Sequence, residues 1–156
     1  KAFSMHGAGI EYPVFDSIKE MHAAGKGYEG EAMGDVLYNR GLVNAAYIAE
    51  AMVVAQKHFG RAQLTGSDVR WGLENLDVTK ERIEELGLTG LMPVTKVTCE
   101  NHEGTTPAAL VQQWDGKKWN IISDWIPAMS DVVRPLVEQD AALYAKENNI
   151  TPRTCS

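Results

Sequence analysis

The sequence is short of most features that would assign a function at once. No apolar run reaches the ~20 uninterrupted residues of a membrane-crossing helix. Residues 41–56 come nearest, but they include Glu50 and are flanked by Arg40 and Lys57. Basic residues do not dominate: 15 Lys and Arg stand against 21 Asp and Glu, for a net charge of −6. A nucleic-acid partner is thereby disfavoured, since neutralising phosphates requires a basic face. Loops and signatures of familiar enzymes are missing: no G-x-S-x-G, Walker A loop, G-x-G-x-x-G, H-E-x-x-H or EF-hand pattern occurs. There is no internal repeat and no low-complexity segment.

What remains is the composition of one ordinary globular domain, 156 residues with 44% hydrophobic and 23% charged. The chain opens on Lys1-Ala2-Phe3-Ser4-Met5, which reads as a strand inside a domain, with neither an initiator Met nor a signal peptide. The expectation is a piece of a longer protein.

The 2 cysteines, Cys99 and Cys155, either form one disulfide, which implies an oxidising compartment, or stand as two separate buried thiols. A disulfide would close a loop of roughly 57 residues, worth ~4 kcal/mol in the chain-entropy model, and would staple a tail with little apolar surface. No second close pair completes a four-ligand zinc site, so no metal is expected. No cofactor is expected either.

Periodicity places the elements. Pro13 suits the first turn of a helix carrying Val14, Phe15, Ile18 and Met21, stopped by Gly25. Residues 42–55 are apolar nearly all round, which predicts a helix enclosed by a sheet and another helix. Gly60 ends it. Thr65-Gly66-Ser67-Asp68 matches a capping box, and Thr79 caps a short helix with Ile83. Residues 94–99 alternate as a short strand. The segment 108–125 is the clearest β signal, a hairpin turning at Asp115-Gly116 between Trp114 and Trp119. Those two indoles either pair across strands or contact a ligand. Pro135 opens the last helix, which stops at Asn148-Asn149.

The strands are too few for a helix as apolar as 42–55, which normally covers a parallel sheet. A lone 17.2 kDa chain would therefore expose an apolar face too large for a monomer, and a remnant held by its other half, or an exchanged oligomer, is expected. Of the 4 histidines, His22, His58 and His102 read as solvated. His6, between a strand and the Gly7-Ala8-Gly9 break, lies where a strand end faces a cleft.

Tyr38-Asn39-Arg40-Gly41 and the apolar helix after it resemble the C-terminal half of a periplasmic solute-binding protein, the branched-chain-amino-acid-type receptors of ABC importers. The stretches 64–76, Met92-Pro93, 99–104, 112–119 and 150–155 extend the resemblance in order along nearly the whole chain. It implies an α/β fold, helix-rich with a β-hairpin, forming the C-terminal portion of a two-lobed protein. Residues 1–9 would be the third crossing between lobes, 10–105 part of the first lobe, and 106–156 a return hairpin and helical tail associated with the second. The implied function is a periplasmic receptor, not an enzyme, that closes its lobes on an amino acid, amide or small carboxylic acid and delivers it to a membrane permease. Tyr38 would then be a ligand contact or a core tyrosine. Arg40 would pair with a ligand carboxylate or with a local acid, and His6 would face the ligand. The pair Cys99 with Cys155 would fasten the last helix. The implied partners are the small ligand, the permease, and the missing N-terminal half or a second copy. The rival readings are an extracellular sensor domain and a fragment of an α/β hydrolase.

Overall fold

A computed structural model describes residues 1–27, 33–104 and 107–155. Part of the polar loop expected over 25–34 lies outside the described residues. The chain runs β1 (Ala2–Ser4), α1 (Val14–Ala23), α2 (Val36–Phe59), α3 (Gly66–Glu74), β2 (Asp77–Val78), α4 (Lys80–Glu85), β3 (Thr95–Lys96), β4 (Ala108–Trp114), β5 (Trp119–Ile121), β6 (Ile126–Pro127) and α5 (Ser130–Glu147). It is a helix-rich mixture of helix and sheet.

Every described strand pair is antiparallel. β4 lies between β1 and β5 and also pairs β6 at its start, while β2 and β3 form a separate short ladder. Ser4 sits opposite Leu110, so the first strand and the hairpin share one sheet. The hairpin turns where Asp115-Gly116 requires. Gly116 takes φ 101°, and the Asp115 carboxylate accepts from the backbone N–H groups of Lys117 and Lys118 at 2.8 and 2.9 Å. Those bonds, with one from Asn120, hold the Asp115 carboxyl down to about 2. Trp114 and Trp119 face each other across the strands with ring centroids 5.7 Å apart.

The core lies among the helices. Tyr12, Phe15, Val43, Leu76, Ile83 and Leu91 are its buried centre. α3 begins at a complete capping box: the Thr65 hydroxyl accepts from the Asp68 N–H, and the Asp68 carboxylate accepts from the Thr65 N–H at 2.7 Å. These bonds to the charged form hold the Asp68 carboxyl below its ordinary value. α2 and α3 then touch through small residues. Ala51 and Ala55 are fully buried, and a Cβ at Gly72 would lie only 2.9 Å from the Ala51 carbonyl carbon and 3.2 Å from the Ala55 Cβ. α4 is tied to α2 by a two-pronged ion pair, Arg82 donating to both Glu50 oxygens at 2.7 and 2.9 Å.

Three expectations need correction. The helix expected over 42–55 is longer and is not enclosed. Leu37, Ile48 and Met52 are exposed, because the described neighbours of α2, such as α3 at Ala51 and Ala55 and α4 at Glu50, meet it on other faces. Pro135 lies inside α5 instead of opening it, since the first turn forms over Ser130 with the Val132 and Val133 amides donating to Met129. The strand expected over 94–99 shrinks to Thr95–Lys96, its continuation leaving the ladder after Val97 donates to Leu76.

α5 buries no residue. Arg134 holds it, donating to the Glu100 carbonyl at 2.6 Å and to Asn101 Oδ1 at 3.2 Å. Beyond it the tail is fastened by the Cys99–Cys155 disulfide and by Arg153, which donates to Glu74 at 2.5 Å.

Two outcomes follow from these contacts. Gly72→Ala should lower stability in urea unfolding by about 1–3 kcal/mol, since the methyl meets backbone that cannot rotate away; an unchanged midpoint would mean the helices are not in contact there. Reducing the disulfide should expose residues 130–155 to protease within the time the core resists. The main unfolding transition should move by less than the ~4 kcal/mol of the chain-entropy model, because the tail adds little to the core.

Candidate functional site

A cleft opens where β1 ends and α2 passes the 93–104 segment. Its outer part, about 450 Å³, has apolar walls from Met5, Leu73, Leu76 and Val97 and a polar rim that includes Arg70, Glu74 and His102. An inner recess of about 140 Å³ reaches His6, Val43, Asn44 and Pro93. Tyr47 and Thr95 line both, and the Tyr47 hydroxyl is 2.8 Å from the Thr95 hydroxyl. The Thr95 hydroxyl also donates to the Pro93 carbonyl at 3.0 Å. Burial raises the Tyr47 phenol, and its bond to Thr95 works against that shift.

The inner wall is set by one buried amide. Asn39, fully buried, donates to the Gly7 carbonyl at 2.6 Å and to the Gly34 carbonyl at 3.3 Å. Tyr12 donates to the same Gly7 oxygen at 3.3 Å. A Cβ at Gly7 would sit 2.6 Å from the Tyr12 hydroxyl, so this close approach needs glycine. The turn is closed on its other side by Gln112, whose side-chain oxygen accepts from the Ala8 N–H at 3.3 Å.

The candidate residues of the sequence do not converge. His6 is buried and lines the recess, with no hydrogen-bond partner on Nδ1. Burial, and secondarily the Arg40 charge, lower its imidazole, while a backbone bond at Leu91 opposes them. Tyr38 turns toward the core, its ring edge-on to Phe15 at 6.4 Å. Arg40 is exposed on α2. Cys99 and Cys155 are joined near the end of α3 and line a surface depression that borders the cleft at Glu74, Leu76 and Val97.

Sequence reasoning missed the rim. Glu74 is buried and gathers Arg153, His102 at 3.4 Å and Arg70 at 3.8 Å. Its pairing with a residue 79 positions away leaves no local signal. Asn39 was visible as a polar residue at the head of an apolar helix. Among the described residues, no group of three or more His, Cys, Asp or Glu is placed to hold a metal ion.

No family model matches the chain, and no curated protein matches it. A solved structure does. It is described as the crystal structure of an ABC transporter permease from the Pseudomonas fluorescens group, with 42% identity and a TM-score of 0.90. The match covers 99% of this chain and 38% of that one, so the chain spans well under half the neighbour's length.

This neighbour overturns three expectations. The chain is not placed with the periplasmic solute-binding receptors, because the structure it matches along its whole length is described as a permease. The function of closing on a solute and handing it to a permease falls with that assignment. So does the periplasmic location, which rested on nothing else but the cysteine pair. No described helix is long and apolar enough to cross a membrane. The physical reason for the error is legible: the quoted stretches encode scaffold. Residues 64–76 hold the capping box and the Gly72 contact, Asn39 holds a turn, and 150–155 hold the Arg153 and disulfide fastening. Such features specify packing and carry no information about role. The neighbour, too, is described as part of an ABC transporter.

His6 gives the test for this site. Its imidazole is held below its ordinary 6.5, so the unfolded chain takes a proton that the folded chain refuses. The associated stability is whole above that ordinary value and is lost as pH falls toward the lower folded-state value. Stability measured from neutral pH down to pH ~5 should therefore fall less steeply in His6→Gln than in the parent. Parallel slopes would contradict the burial.

Proposed function

We propose that this chain is a non-spanning part of a permease-type component of an ABC transporter, and that it acts by assembly and positioning, without bond-making chemistry. The supporting observation is the 42% identity maintained over 99% of the chain with a TM-score of 0.90. Several polar groups of the cleft are held by structural partners, in keeping with a non-catalytic role: Tyr47 by Thr95, and Glu74 by Arg153. The fold is read as one portion of a larger body, in keeping with the 38% of the neighbour that it covers. His6 is the candidate small-molecule contact we retain within that assembly, since it lines the inner recess of the cleft.

The test is isolation of the native protein through a tag on this chain from detergent-solubilised membranes. An ATP-binding subunit of an ABC transporter should accompany it through two purification steps. Recovery of the tagged protein wholly outside the membrane fraction, with no such subunit, would end the proposal.

A further inference from the structure

α2 carries a face that water does not explain. Leu37, Gly41, Ala45, Ile48 and Met52 recur at helical spacing and are all exposed. At 3.6 residues per turn they fall within roughly a quarter of a turn, along about 22 Å of helix. A solvated helix face normally carries charge, yet the charged residues of this stretch, Arg40 and Glu50, both project from other sides. Gly41 and Ala45 lower the surface between Leu37 and Ile48, which lets a neighbouring backbone come close.

α5 repeats the arrangement. Val132, Val133, Leu136, Val137, Leu143 and Tyr144 are all at least 39% exposed. By helical geometry they fall within an arc of about 140° that also holds Asp140 and Glu147, and Arg134, which grips residues 100 and 101, lies outside it. The apolar side is turned away from the body that holds it.

We infer that these two stripes are the seats of a further portion of the same, longer polypeptide, one that presents an uncharged aliphatic surface to α2 and, to α5, an aliphatic surface with polar groups for Asp140 and Glu147. The choice of occupant rests on length: the matching structure is a chain of which these residues account for 38%. It rests also on chemistry, since the α2 stripe carries no charge and an aliphatic partner leaves no buried ion there, while Asp140 and Glu147 within the α5 arc call for polar partners at their own positions. Exposed apolar surface on this scale is unusual in a protein that stands alone. The inference does not depend on the transporter role.

The test uses the longer gene product and single cysteines, because the described residues hold no free thiol to compete. Ile48→Cys and Leu136→Cys report the stripes, and Ala142→Cys, exposed on α5 outside its apolar arc, is the control. Both stripe thiols should react with a maleimide about tenfold or more slowly than the control in the longer protein, and as fast as the control in the 156-residue chain. If Ile48→Cys impairs folding, Ala49→Cys makes a smaller change beside the same stripe. Equal reactivity at either stripe in the longer protein overturns the inference. So does protection in the 156-residue chain that deepens with its concentration, which would identify a second copy as the occupant. A native gene product that ends with these residues would overturn it as well.

Discussion

The bond from the Asn39 amide to the Gly7 carbonyl is the point on which the two halves of this structure meet. Asn39 belongs to the long helix and Gly7 to the turn after the first strand, so this buried contact, with the Tyr12 bond to the same oxygen, joins the strand's turn to the helical core. An amide with no exposure to water costs free energy unless it is bonded. Here the strand's turn supplies the acceptor, and the turn is placed by the same bond. The recess beside His6 exists because this turn cannot drift from α2. Gly7 is small enough to let Tyr12 reach the same oxygen, and Gln112 closes the turn from the β4 side.

Local chemistry was readable in the sequence where one short segment carried the whole instruction. The capping box at Thr65, the turn at Asp115-Gly116 and the end of α2 at Gly60 needed no partner from elsewhere, and each stands where its residues imply. Segments whose state depends on distant neighbours were not readable. The apolar helix implied enclosure, but composition cannot say whether the enclosing surface belongs to the same stretch of chain. Pro135 marks a helix start in general, yet here Ser130 and Asp131 begin the helix before it.

The candidate site was less legible than the fold. His6 was found because a strand end followed by glycines is a recognisable setting. Tyr38 and Arg40 are neighbours of Asn39 in sequence, but helical geometry turns them to different sides, one to the core and one to water. The residue between them makes the structural bond. Glu74 and Arg153 meet only in the folded chain. The same limit bears on the resemblance, which did not hold: packing leaves marks at fixed spacing, whereas the task of a protein is also written in what surrounds it.

Both ends of α5 return to one short stretch of chain. Arg134, near its start, holds residues 100 and 101, and Cys155, beyond its end, is bonded to Cys99. The helix is thus the far side of a closed covalent ring. A cut in the backbone anywhere inside that ring, such as in the exposed helix itself, would leave both pieces linked. The severed molecule would migrate as a single band on a gel until a reductant was added.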